Sequence, residues 1–272
     1  MGLTTQSTGI YAFLEELNAT PVKADAVIAL AGNPNTGKST VFNGLTGLNQ
    51  HTGNWPGKTV ILAKGAYQHQ HRNITLVDLP GTYSLLANSA DEQVARDFIC
   101  FGNPDATVVV ADATCLERNL NLALQIMEIT PQTILCVNLL DEAKRKKIEI
   151  DCAKLERILG IPVVPTAARD KTGLSELKDA IHQAAFGKKR LQPKQVGYHE
   201  AIEAAVAVIQ KDVEVILQGR FNSRWVALRL LDGDATIVAA ILHYLQRMER
   251  NQEPLLNKVG EVECCEIPRG GL

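Results

Sequence analysis

The chain has 272 residues, 46% of them apolar, with 28 lysines and arginines against 30 aspartates and glutamates. So balanced a charge argues against nucleic acid or an anionic membrane surface as the main partner. No apolar run approaches the ~20 residues that cross a bilayer, no charged n-region precedes an apolar stretch at the N-terminus, and Gln6 spoils a myristoylation signal, so the chain reads as soluble. Cys100, Cys115, Cys136, Cys152, Cys264 and Cys265 form no CxxC pair, as expected of a reducing compartment. The adjacent Cys264 and Cys265 are weak evidence of a metal or reactive site.

Residues 1–24 read as an N-terminal extension whose one amphipathic patch, Ile10 to Leu17, suits a short helix. From Asp25 the pattern changes. Ala26–Ala31, Ile74–Asp78, Thr107–Ala111, Thr133–Asn138 and Pro162–Pro165 are short apolar runs bounded by turn residues, as strands buried on both faces are. Thr59–Tyr67 alternates and contains Lys64 and Gly65, which suits an edge strand. Helical spacing marks Ser39–Thr46, Asp91–Cys100, Leu116–Ile129, Leu140–Lys147, Cys152–Leu159 and Leu174–Phe186. The alternation predicts an α/β domain over 25–188: a six-stranded, mostly parallel sheet with helices on both faces. Gly187–Gly197 reads as a linker. A small all-helical domain over 189–260 follows, on the apolar stripe from Ile202 to Leu217, then Trp225–Leu231 and Ile237–Leu245, with Asp234 as the last helix's cap. A polar tail covers 261–272.

Gly32-Asn33-Pro34-Asn35-Thr36-Gly37-Lys38-Ser39, followed by Thr40, leaves a strand and opens a helix. That is the context of a phosphate-binding loop: glycines let backbone N–H groups turn inward, and the helix N-terminus adds its dipole. Lys38 is expected at the β- and γ-phosphates and the Ser39 hydroxyl on Mg²⁺. Asp78-Leu79-Pro80-Gly81 ends a strand some forty residues on. Asp78 there suits Mg²⁺ held through water, and the Gly81 N–H the γ-phosphate. Asn138-Leu139-Leu140-Asp141 resembles the guanine-specificity motif of GTPases, with Leu139 in place of the common lysine. Asp141 would accept the guanine N1–H and amine, which adenine cannot supply, and Asn138 would bridge the loops. Alone, that stretch could also be a helix cap. Thr166-Ala167-Ala168 resembles the fifth GTPase element, whose N–H groups meet the guanine oxygen. The four elements in order indicate a Ras-like P-loop NTPase that binds GTP and GDP.

The segments between these motifs narrow the resemblance. Gln50–Val60 reads QHTGNWPGKTV, and Asp78-Leu79-Pro80-Gly81 is followed by Thr82-Tyr83-Ser84-Leu85, Ser89, Asp91-Glu92 and Val94-Ala95-Arg96-Asp97. From Ala26 to Phe186 the sequence closely resembles the cytosolic N-terminal region of the ferrous iron transport protein B family, and the helical segment resembles that family's guanine-dissociation-inhibitor-like domain. The resemblance implies a GTPase on the cytoplasmic face of the inner membrane of a bacterial cell. It would couple the GTP/GDP cycle to Fe²⁺ uptake through a permease region absent from this sequence. Small accessory transport proteins and homo-oligomers are further partners it implies. Thr59 matches the switch threonine on Mg²⁺, or else simply opens a strand. Ras-like enzymes place a water-orienting glutamine after DxxG, but here that residue is Thr82. Members of the family use K⁺ instead, and Asn35 matches its phosphate-loop ligand; Asn35 could alternatively be a turn-former. Two rival readings share the motifs: a soluble regulatory GTPase of the ribosome-assembly type, and a partner-dependent switch that barely turns over. His69 and His71 fit a solvated turn better than a metal site.

Overall fold

The structure is a computed structural model, and it describes residues 24–47, 50–54, 60–86, 89–188 and 190–256. The Ile10–Leu17 patch, Thr59 and Cys264-Cys265 lie outside the described residues.

Among the described residues seven strands form one sheet in the order β2-β3-β4-β1-β5-β6-β7. They are β1 (Ala26–Gly32), β2 (Gln50–Asn54), β3 (Ile61–His69), β4 (Arg72–Asp78), β5 (Ala106–Asp112), β6 (Thr133–Asn138) and β7 (Val163–Pro165). Pairings around β1, β5, β6 and β7 are parallel, while β2–β3 and β3–β4 are antiparallel. All six expected strands are present, and β2 is a seventh. It corrects one expectation: β3 is not at the sheet edge, because Gln50 to Asn54 pair along Gly65 to Ile61.

The helices are α1 (Lys38–Thr46), α2 (Ala90–Phe101), α3 (Leu116–Ile129), α4 (Leu140–Arg145), α5 (Cys152–Leu159), α6 (Leu174–Phe186), α7 (Glu200–Leu217), α8 (Ser223–Leu231) and α9 (Ala235–Leu256). Residues alternate along the central strands between two cores. Ile28, Leu30, Val108, Val110, Ile134 and Cys136 pack with α1 and α6, whereas Ala29, Ala31, Val109, Ala111, Leu135 and Val137 pack with α2 and α3. Each fully buried aliphatic side chain contributes about 1.5–3 kcal/mol, so this double face is the main source of stability. Burial pushes the Cys136 thiol up to about 12, which keeps it protonated and unreactive.

The second core continues into the helical region through Val213, Leu217, Trp225, Val226, Ile237 and Ile241. Phe101, at the end of α2, meets the rings of Phe221 and Tyr244 at 5.6 Å each. Asp234 caps α9 as expected, its Oδ1 accepting from the N–H groups of Thr236 and Ile237 at 3.1 and 3.2 Å. The described residues of the linker form no helix or strand but are tied down: the Lys194 N–H donates to the Leu159 carbonyl at 2.8 Å, and that of Leu191 to Gln132 Oε1 at 3.0 Å.

Candidate nucleotide-binding site

Parallel register brings the carboxyl ends of five strands to one edge of the sheet. Leu30 lies opposite Asp78, Gly32 opposite Val110, Asp112 opposite Asn138 and Val137 opposite Pro165. Ligands of open parallel sheets bind at this edge.

The phosphate loop wraps the end of β1. A Cβ on Gly32 would lie 2.6 Å from the Val110 carbonyl, so the strand turns there only with glycine. Asn35 and Gly37 adopt positive φ, 67° and 77°, which folds successive N–H groups toward one point ahead of α1. The Thr36 hydroxyl pins the loop by donating to the Asn33 carbonyl at 3.0 Å. Asn33, Pro34, Asn35, Gly37, Lys38, Ser39, Thr40 and Gly81 line one cleft of about 400 Å³. Gly81 packs flat on Pro34, whose atoms would stand 3.4 Å from an added Cβ.

Lys38 Nζ is paired with the Asp78 carboxylate and also donates to the Leu79 carbonyl at 2.6 Å. Burial pushes the Asp78 carboxyl above its usual range, and Lys38 pulls it partly back. The donor set suits a hard divalent cation: the Ser39 hydroxyl borders the cleft, and Asp78 is held beside it through Lys38. Asn33 is buried, and among the described residues neither of its amide atoms has a hydrogen-bond partner. A polar cleft whose own wall carries unspent donors and acceptors fits a polyanion with its counter-ions.

The base-side loops are joined by one side chain. Asn138 Nδ2 donates to the Thr36 carbonyl at 3.0 Å, while its Oδ1 accepts from the Thr166 hydroxyl and the Ala168 N–H, both at 3.1 Å. Leu139 takes a left-handed φ of 63°, which costs a non-glycine residue about 1–2 kcal/mol. It packs beside Gly37, its Cδ2 3.7 Å from where a Cβ there would sit. Asp141 lies in the first turn of α4, with Arg145 Nη2 3.6 Å from its Oδ2.

One expectation needs refinement. The N–H groups of Thr166, Ala167 and Ala168 already donate to the Val137 carbonyl, the Thr172 carbonyl and Asn138 Oδ1. To meet a guanine oxygen, one of these bonds must be exchanged. Thr82 also differs in detail from a water-orienting residue. Its side chain is buried, and its hydroxyl donates to the Ser84 carbonyl at 2.7 Å.

Sequence reasoning gave no role to two polar residues outside the cleft: Gln125, and Arg96, which entered only as part of the family-like stretch Val94-Ala95-Arg96-Asp97. Each occupies an ordinary amphipathic helix, and nothing local distinguishes it from a solvent-facing residue. Among the described residues no cluster of three metal-ligating side chains occurs, and His69 Nε2 bonds Asp179 Oδ1 at 2.8 Å.

The sheet, the phosphate loop and the Asn138-linked loops define a P-loop nucleotide-binding domain with an appended helical region. The chain belongs to the ferrous iron transport protein B family, whose model, "Ferrous iron transport protein B", matches residues 26–181. A second model, "FeoB cytosolic helical domain", matches residues 198–263. The Fe(2+) transporter FeoB of Methanocaldococcus jannaschii is 47% identical over 207 residues, which are 76% of this chain and 30% of that relative. The cytosolic domain of T. maritima FeoB in its GDP form II superposes with TM-score 0.72 at 40% identity, covering 79% of this chain and 85% of that one. Its GMPPNP form gives TM-score 0.72 at 39% identity, over 80% and 86%. No helix among the described residues is long and apolar enough to cross a membrane.

Proposed function

We propose that this chain binds and hydrolyses GTP and that its nucleotide cycle drives Fe²⁺ transport through a membrane region such as its much longer relatives carry. The catalytic domain is residues 25–188 and the helical domain 189–260. One observation carries the reading: the Asn138 amide fastens the loop bearing Asp141 to the phosphate loop at Thr36. A nucleotide whose phosphates lie over Gly32–Thr40 thereby presents its base to a carboxylate that can accept two N–H donors, which guanine has and adenine lacks. The GDP and GMPPNP forms of the T. maritima relative support it.

Lys38 would exchange Asp78 for the β- and γ-phosphates, freeing that carboxylate to hold Mg²⁺ through water beside Ser39 and Thr59. Gly81 would offer its N–H to the γ-phosphate. With its hydroxyl committed to Ser84, Thr82 does not take the water-orienting role of the glutamine found there in Ras-like enzymes. K⁺ bound at Asn35 would offset the negative charge that builds up between the β- and γ-phosphates during cleavage.

The test compares phosphate release from GTP and ATP in KCl and in NaCl at equal ionic strength. GTP-selective turnover, faster in K⁺ and losing that response in Asn35→Ala, is expected. Equal use of ATP would overturn the nucleotide assignment, and equal rates in the two salts the role of K⁺.

A further inference from the structure

Two side chains of α3 meet the segment after Gly81: the Arg118 guanidinium stands 4.2 Å over the Tyr83 ring, and Gln125 bonds the backbone. Gln125 Oε1, on α3, accepts from the Leu85 backbone N–H at 2.8 Å and from the Ser84 hydroxyl at 3.4 Å. The Ser84 carbonyl accepts from the Thr82 hydroxyl at 2.7 Å, and the Ser84 N–H donates back to it at 3.3 Å. The Thr82 N–H donates to the Gly32 carbonyl at 3.2 Å. A continuous run of hydrogen bonds thus leads from the phosphate loop, past Gly81, to Gln125. One turn along α3, Glu128 accepts from the Tyr198 hydroxyl at 2.6 Å. Residues three apart share a helix face, so α3 grips the turn after Gly81 and the helical region side by side. Leu85, Gln125, Glu128, Tyr198 and Trp225 border a single cavity of about 200 Å³ between them.

We infer that Gln125 is a positioning residue for GTP hydrolysis. Its acceptor oxygen sets the turn from Gly81 to Leu85, and the helical region acts on that turn through the shared face of α3. This rests on the GTPase reading above. The argument is one of elimination as well as contact. With the Thr82 hydroxyl spent on Ser84, the Ser84 hydroxyl directed at Gln125 and the Tyr83 ring under Arg118, what the segment can contribute to the reaction is the placement of its backbone, and Gln125 is the side chain that bonds that backbone. None of these contacts involves Asn138, Asp141 or Thr166–Ala168, so the grip on guanine is separate. Loss of one hydrogen bond of ordinary net strength corresponds to a factor of about ten.

The experiment measures steady-state GTP turnover and dissociation of fluorescent GDP for the wild type, Gln125→Leu and Gln125→Glu. In Gln125→Leu, kcat should fall about tenfold, with KM and GDP dissociation essentially unchanged. Gln125→Glu keeps an acceptor oxygen and should recover most of kcat. If Gln125→Leu does not fold, Gln125→Met, unbranched and of similar length, makes the same comparison. Full kcat in the apolar variant, faster GDP loss in proportion, or no recovery with Glu would overturn this inference while leaving the GTPase reading intact. A wild type that turns over no GTP would overturn both.

Discussion

Arg96 of α2 donates from Nη1 to the Thr236 hydroxyl at 2.9 Å, fastening the helix that follows the Gly81 turn to the start of α9. Its Nε and Nη2 both donate to Asp97 Oδ1, at 3.0 and 2.9 Å, and Asp234 Oδ2 stands 3.9 Å from Nη1. The guanidinium is buried, so its removal breaks its bonds to Asp97 and Thr236 and takes away the charge that stands beside Asp234. Arg96→Met should destabilise the chain by about 3 kcal/mol. Arg96→Lys should recover only part of that, because an ammonium cannot serve Asp97 and Thr236 with one planar fork. Thermal unfolding checks both, with an expected fall of roughly 5–10 °C for the methionine variant.

A second contact within the helical region predicts an acid response. Arg224 donates to both oxygens of Glu203, at 2.7 and 2.8 Å, and the Tyr198 N–H adds a third bond at 2.9 Å. The Arg224 guanidinium first, and then the Tyr198 N–H, hold the Glu203 carboxyl at about 2 against an ordinary 4.5. With a folded pKa below the unfolded one, the stabilisation is complete above 4.5 and disappears as pH falls through 2. Glu203→Gln lacks this term. Its melting temperature should lie below that of the wild type at neutral pH, and the gap should close as acid protonates the wild-type carboxyl. A gap independent of pH would show that the pair contributes nothing through its charge.

What was legible in the sequence and what was not divides along a physical line. The phosphate loop was readable because its determinants are local: two glycines, a lysine and a serine between a strand and a helix. The buried strands were readable because both faces are apolar. Gln50–Asn54 was not, since QHTGN carries no apolar pattern, and pairing with β3 is what makes it a strand. Gln125 and Arg96 were silent for a related reason. Their partners, Leu85 and Thr236, lie 40 and 140 residues away, and a polar residue on an amphipathic helix signals solvent until its partner is known. The committed N–H groups of Thr166–Ala168 were equally invisible, because Thr172 and Asn138 reach them only in the folded chain.

On the function proposed above, Asp141 sets the choice of base, and that choice should be re-aimable. Its pairing with Arg145 is exposed and worth little to the fold. Asp141→Asn should therefore leave the melting temperature within about 2 °C while removing the acceptor for two guanine donors. An amide can donate to a carbonyl, and xanthine has a carbonyl where guanine has its amine. Guanine nucleotide affinity should fall at least about a hundredfold, with xanthine nucleotide binding gained, as titration calorimetry would show. Unchanged GTP affinity would remove Asp141 from the site.

The link between Gly37 and Asn138 gives the most stringent test, because it predicts how two changes combine. A Cβ on Gly37 would run into Asn138 Nδ2, and its φ of 77° is strained for any side chain. Gly37→Ala therefore carries two penalties, about 1 kcal/mol of backbone strain and displacement of the Asn138 amide. Asn138→Ala leaves the Thr36 carbonyl and the Ala168 N–H unpaired, costing about 2–4 kcal/mol. Once that amide is gone, the alanine at position 37 keeps only an ordinary contact with Leu139 Cδ2 at 3.7 Å, and only the backbone strain remains. The double variant should then be more stable than the sum of the single losses by about 1–2 kcal/mol. GDP affinity should show the same non-additivity, since each change frees the base loop from the phosphate loop. Simple addition of the two losses, in unfolding and in nucleotide binding, would mean that Asn138 does not act through Gly37.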